Sequence, residues 1–210
     1  MTFTGGIGKG ANKIIVAIVR GLALSKIHPN VLTFFGLVIN GAAAALLAAG
    51  MFRPAGYVII GAGLFDMVDG RVARETNQVT RFGGFFDSVL DRYSDLALLM
   101  GLLVYYGSIN RSFYVVLTAI VMTGSVMVSY TRARAENTIP SCKVGFMERP
   151  ERVVLLIIGA LFDRMAPVLW VIAILSNITV IHRMAFTWQE TKRLEDAQLR
   201  GARAENSISQ

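Results

Sequence analysis

The chain has 210 residues, a formal net charge of +7, 54% hydrophobic residues and a single cysteine. That length suits one domain. The lone Cys142 leaves no internal disulfide and no support for a cysteine-based zinc site. The apolar share, counted without glycine, exceeds the roughly 45–50% that soluble domains reach with glycine included, which argues against an ordinary soluble enzyme.

Residues 9–27 set Ile14, Ile15, Ile18, Val19 and Leu22 at helical spacing against Lys13, Arg20 and Lys26. The pattern predicts an amphipathic helix, lying in a membrane interface or packed on the domain. No cleavable signal peptide is expected, because the apolar pattern there is broken and lacks a small-residue cleavage site. The stretch VLTFFGLVINGAAAALLAAG, residues 31–50, then runs twenty residues without a charge. About 20 residues cross a hydrocarbon core of about 30 Å. Five further spans follow at about 56–73, 83–107, 113–134, 151–163 and 165–185. The fifth is short and turns tightly near Asp163 and Arg164. From Gln189 onward the chain is polar, helix-prone at first and frayed toward its end. The expected fold is therefore all-α integral membrane, six transmembrane helices with an N-terminal amphipathic juxtamembrane helix. Its divisions are 1–30, 31–185 and a polar cytoplasmic tail at 186–210.

Lysine and arginine distribute unevenly across these spans. Seventeen of the 21 fall on the side of the N-terminal segment, the second-to-third and fourth-to-fifth connections and the C-terminal end. Arg53, Arg111 and Arg164 fall opposite, and Arg92 lies within a span. By the positive-inside rule both termini and residues 66–91 face the cytoplasm of a cell membrane. The basic balance then reads as contact with membrane lipids and phosphates, not nucleic acid.

Residues 66–91 hold four aspartates between strongly apolar stretches. Ionisable groups at membrane depth are expensive and mark function. Asp66 and Asp69 are spaced i, i+3, and Asp87 and Asp91 i, i+4, so each pair shares a helix face. Helical rise puts Asp69 about 7.5 Å from Arg74 and Asp87 about 9 Å from Arg81, so the pairs meet at similar height. Converging carboxylates stay ionised only beside cations. All-oxygen ligands favour Mg²⁺ or Mn²⁺, with Ca²⁺ open, and two bridged ions make a phosphoryl-transfer clamp. The plainer alternative pairs the aspartates with Arg71, Arg74, Arg81 and Arg92. Gly70, Gly83 and Gly84 fit either close approach to a ligand or close helix packing.

The spacing Asp66-x2-Asp69-Gly70-x2-Ala73-Arg74-x8-Gly83-x3-Asp87-x3-Asp91 resembles the full motif of the CDP-alcohol phosphotransferases, matching at all eight positions. The resemblance implies a six-helix membrane enzyme, commonly a homodimer, that transfers the phosphatidyl group of CDP-diacylglycerol to an alcohol and releases CMP. It implies that Asp66, Asp69, Asp87 and Asp91 ligate two Mg²⁺ or Mn²⁺ ions, with Asp91 also the catalytic base. It makes Gly70, Ala73, Arg74, Thr80 and Gly83 nucleotide contacts beside Asp66 and Asp69. The HPNVLT stretch adds Pro29, Asn30 and Thr33 to that set.

Two further stretches, SYTRARAE at 129–136 and GFMERPER at 145–152, resemble those of the bacterial phosphatidylinositol-phosphate synthases. That resemblance implies inositol 1-phosphate as acceptor, its phosphate held by Ser129, Arg152 and Arg183 with Arg132, Arg134 and Arg149 bordering. Arg132 stands where that branch commonly has lysine, and a planar guanidinium is not equivalent to an ammonium. Read blandly, these arginines are positive-inside charges at helix ends. Asp95 extends the 87, 91 face and either orients the acceptor or bonds another helix, while His182 has no evident partner. Another acceptor (glycerol 3-phosphate, free inositol) or an ether-linked CDP lipid would use the same chemistry. A small cation transporter is the reading from a different class, favoured had the carboxylates lain nearer mid-membrane.

Overall fold

The structure is a computed structural model. It describes residues 29–75 and 79–208, with side chains at 30–66 and 79–200. The expected amphipathic helix at 9–27 lies outside these. Six helices account for the described fold: α1 Pro29–Ala48, α2 Phe52–Glu75, α3 Arg81–Ser108, α4 Ser112–Ala135, α5 Arg149–Leu161 and α6 Met165–Ile208. No strand occurs among the described residues. Each expected span falls on one helix.

The turns are tight where the sequence allows it. Gly50 takes φ +75° between α1 and α2, and Asn110 takes φ +55° between α3 and α4. Asp163, also at φ +55°, makes the sharp α5–α6 reversal. Asn and Asp tolerate this left-handed region better than most residues. Thr80 caps α3, its Oγ1 accepting from the Gly83 N–H at 2.9 Å. At α5, Glu151 reaches back to accept from the Glu148 N–H at 3.1 Å, and Pro150 sits in the first turn.

The helix-prone start of the tail continues the last span. No break occurs near residue 185, and α6 runs unbroken for 44 residues to Ile208. Residues 189–200 are rich in Glu, Lys, Arg, Gln and Leu, and an existing helix spares them the unfavourable nucleation step.

The helices close a ring. α1 packs on α2 and α3, α2 on α5, α5 on α6, α6 on α4, and α4 back on α3. One apolar core draws on all six, with Leu47, Ile59, Leu102, Val121, Leu156 and Leu169 almost fully buried. Those residues lie toward the α1–α2, α3–α4 and α5–α6 turns. The other half of the ring is polar inside. Outward, Phe34, Phe35, Tyr57, Val104, Phe113 and Ile174 are each at least half exposed, which suits a lipid surface and not water.

Among the described residues, three helices are long and apolar enough to cross a membrane: Asn30–Ala48, Ser112–Ala135 and Met165–Arg200. α2 and α3 have the length, at 24 and 28 residues, but carry the aspartates and arginines that lower their hydropathy. α5 has 13 residues, roughly 20 Å by helical rise.

Gly101 of α3 lies directly against α1. A Cβ there would stand 2.3 Å from the backbone oxygen of Ala44. Backbone cannot swing aside as a side chain can, so Gly101→Ala should force α1 from α3. Thermal unfolding in detergent is expected to show a loss of about 1–3 kcal/mol; an unchanged melting temperature would mean the helices are not in contact there.

Candidate active site

Asp87, Asp91 and Asp95 follow one another at four-residue intervals on α3. Along this row the surroundings go from exposed at Asp87 to half-buried at Asp91 and buried at Asp95. Half-buried Asp66 faces them from α2. Gly36 of α1 makes room for it, since a Cβ there would stand 2.8 Å from Asp66 Oδ1.

Arg149, the first residue of α5, joins three of these carboxylates. Its Nη2 lies 2.8 Å from Asp66 Oδ2, its Nη1 2.9 Å from Asp91 Oδ1 and its Nε 3.4 Å from Asp95 Oδ1. One turn on, Arg152 is only 4% exposed. Its Nη2 donates to Asp95 Oδ2 at 2.6 Å and its Nη1 to the Met147 carbonyl at 3.5 Å. Asp95 therefore bonds another helix, the second of its two expected readings. A cavity of about 460 Å³ opens beside this cluster, polar at Asp66, Asp95, Arg149 and Asn40 and apolar along Ile59, Leu98 and Ile157.

A second charged group surrounds Glu148, a residue the sequence reading did not single out. Its Oε1 accepts from Arg132 Nη1 at 3.1 Å and from Arg183 Nη2 at 2.8 Å. Arg132 Nε also reaches Glu136 at 3.1 Å, and that bond holds the Glu136 carboxyl below its ordinary range. Arg183 is 1% exposed; it donates from Nε to the Val144 carbonyl at 2.8 Å and from Nη1 to the Val128 carbonyl. Ser129 follows Val128 and is half-buried. Arg134 is exposed and lines a separate cavity of about 480 Å³ between α4 and α6, with Tyr130, Thr187 and Trp188. His182 stacks on Phe146 at 6.5 Å between ring centroids.

At the mouth, three residues of the expected nucleotide set meet. Thr80 caps Gly83, and a Cβ on Gly83 would stand 3.4 Å from Asn30 Oδ1. Thr33 is nearly buried one turn into α1, which Pro29 opens. Asp69, Gly70, Ala73 and Arg74 fall in the last turns of α2, where the backbone alone is described.

The carboxylate oxygens suit a hard cation, and a cation already bridges them: the guanidinium of Arg149. Among the described side chains no three Asp, Glu, His or Cys groups converge on a point that would hold a metal ion. Arg149 lies between Asp66 and Asp91.

Residues 26–189 match the family model of the CDP-alcohol phosphatidyltransferases. The chain belongs to that family. As a phosphatidyltransferase it has relatives that share most of its length. Archaetidylinositol phosphate synthase of Pyrococcus horikoshii is 38% identical over 182 residues, covering 84% of this chain and 90% of the relative. Phosphatidylinositol phosphate synthase of Mycobacterium tuberculosis is 35% identical over 187 residues, covering 84% and 86%. The crystal structure of the M. tuberculosis synthase with CDP-DAG bound superposes at a TM-score of 0.78 and 33% identity, covering 84% of this transferase and 94% of that chain. Its complex with manganese and citrate gives 0.77 at 33% identity, covering 83% and 88%.

The buried Asp95–Arg152 pair can be tested directly. Removing Arg152 leaves buried Asp95 only the longer contact with Arg149, so Arg152→Met should cost about 1–3 kcal/mol of stability. The double change Asp95→Asn with Arg152→Met should recover much of that loss. A double-mutant cycle on melting temperatures with no coupling between the two would show that the pair does not form.

Proposed function

We propose that this transferase moves the phosphatidyl group of CDP-diacylglycerol onto a hydroxyl of inositol 1-phosphate and releases CMP. The observation that carries the reading is the adjacency of two charged groups. Asp66 and Asp91 meet at Arg149, and the next residue, Glu148, gathers Arg132 and Arg183. Carboxylates beside a set of arginines are what a reaction between a diphosphate and a phosphorylated alcohol needs.

Asp66, Asp69, Asp87 and Asp91 would hold two divalent ions, Mg²⁺ or Mn²⁺, and all-oxygen donors suit either. The manganese in a relative's crystal structure supports this assignment. When bound, such ions supply charge neutralisation at the pyrophosphate and the leaving phosphate. Asn30, Thr33, Gly70, Ala73, Arg74, Thr80 and Gly83 would seat the cytidine end. Asp91 takes the proton of the attacking hydroxyl. The oxygen so activated bonds to the lipid-bearing phosphorus, and the bond from that phosphorus to CMP breaks. Arg132, Arg183 and Ser129 would hold the acceptor phosphate. Arg152, bound to Asp95, braces the wall behind it.

Six crossings, with both ends on the cytoplasmic side, complete the reading. It is supported by the excess of lysine and arginine on that side and by the apolar exterior of the ring. A second reading concerns only the lipid. The relatives at 38% and 36% identity are named for archaetidylinositol phosphate, which keeps the inositol phosphate part and changes the lipid part. An ether-linked CDP lipid is then the donor.

An acceptor assay decides between substrates. With CDP-diacylglycerol and with its ether analogue, inositol 1-phosphate should give a lipid product identified by mass, whereas free inositol and glycerol 3-phosphate should not. A preference for either of the latter would overturn the acceptor assignment. Asp91→Asn should abolish turnover while CDP-lipid binding persists, and activity within about tenfold of wild type would remove Asp91 as the base. Arg183→Ala should raise the KM for inositol 1-phosphate by about tenfold to a hundredfold, the worth of a charge-assisted bond, with little change in the KM for the CDP lipid. An equal rise in both would misplace the pocket.

A further inference from the structure

Glu148 and Arg149 are consecutive, opposite in charge, and each bridges partners from two different helices. One oxygen of Glu148 joins Arg132 of α4 to Arg183 of α6. A phosphate oxygen between those guanidinium groups would make the same two charge-assisted bonds. Arg149 does the converse, its fork joining Asp66 of α2 to Asp91 of α3. That is positive charge set between carboxylates, as a divalent cation would be.

The two side chains share one short piece of backbone. Glu148 is the N-cap of α5 and Arg149 its first residue. Residues 136–148 before them are irregular, and Gly145 there has φ +113°. The ion pairs of Glu148 and Arg149 therefore help to anchor this end of α5. The Phe146 and Met147 N–H groups donate to Thr179 and Arg152 holds Asp95, so loss of either set of pairs loosens only the Glu148–Arg149 link between these anchors.

We propose that Glu148 and Arg149 act as a paired plug, filling the acceptor-phosphate and divalent-cation positions together in the ligand-free enzyme, so that loading one position releases the other. The proposal rests on the acceptor assignment above. A phosphate arriving at Arg132 and Arg183 displaces Glu148, and the loosened end of α5 draws the Arg149 fork from Asp66 and Asp91. Asp95 keeps its bond to Arg152 throughout, so the buried pair behind the plug stays compensated. Acceptor binding and cation binding then strengthen each other, and by linkage they do so by one common factor. Until the acceptor arrives, Arg149 holds Asp91. A water molecule beside the CDP lipid then finds no free base, and hydrolysis of the donor is suppressed.

The test uses the full chain in detergent without CDP lipid, so no turnover intervenes. Mn²⁺ binding is measured by electron paramagnetic resonance of the free ion, with and without saturating inositol 1-phosphate. In the wild type, inositol 1-phosphate should tighten Mn²⁺ binding about fivefold or more. Arg149→Lys keeps the charge but loses the fork, and should bind Mn²⁺ about tenfold tighter than wild type with no acceptor present. Glu148→Gln should bind inositol 1-phosphate more tightly without Mn²⁺, and the coupling should fall below about twofold. If Arg149→Lys matches the wild type, charge at a distance and not occupancy sets cation affinity, and the plug is refuted. Full coupling in Glu148→Gln refutes it equally. Should calorimetry find no binding of inositol 1-phosphate to wild type, the acceptor assignment and the coupling fail together. The Arg149→Lys comparison still decides whether Arg149 occupies the cation position.

Discussion

Charge buried among apolar helices has to be compensated, and the polar half of this ring is organised around that need. An uncompensated ion in such surroundings costs several kcal/mol. Asp66, Asp91 and Asp95 come from two helices, and the cations that meet them, Arg149 and Arg152, come from a third. With only 13 residues, α5 is the shortest helix and offers the least apolar surface to hold it in place. Its two arginines, three residues apart on one face, fix its height against α2 and α3. The position of α5 is thus an electrostatic consequence as much as a packing one.

Packing fixes the other half. The core around Leu47, Leu102, Val121 and Leu169 is continuous across all six helices. At Gly101 and Ala44 two backbones approach as closely as chains can. That half keeps the ring closed while the opposite end, where the α4–α5 connection is irregular, carries the charged groups. A rigid base beneath a polar mouth lets carboxylates on separate helices keep their register without bonding directly to each other.

Much of this was legible in the sequence, for a physical reason. Carboxylates inside apolar runs are anomalous, so Asp66, Asp69, Asp87 and Asp91 announce themselves, and helical spacing places each pair on a face. The six helices follow from apolar runs of helix length, with a tight turn near Asp163. What stayed hidden depends on which helix lies beside which. Periodicity gives a face but not its neighbour, so the meeting of the Arg149 guanidinium with Asp66 and Asp91 was not legible. Glu148 was overlooked between more conspicuous arginines, because its role depends on residues 16 and 35 positions away. The helix-prone start of the polar tail was legible from its good helix formers, but its continuity with α6 was not.

Charge balance links the resting cluster to the reaction proposed for it. Asp66, Asp91 and Asp95 against Arg149 and Arg152 leave one negative charge, and Glu136 and Glu148 against Arg132 and Arg183 leave none. The described ion pairs are therefore close to neutral, as poor solvation demands. Two divalent ions would add four positive charges. The diphosphate of a CDP lipid brings about two negative charges and a phosphate monoester about two more. The complete set of ligands therefore adds almost nothing, while cations alone would leave an excess of about three positive charges that the low dielectric penalises. Cations with the donor lipid leave an excess of about one charge, far less than cations alone, so on charge balance the site favours cations and diphosphate arriving together.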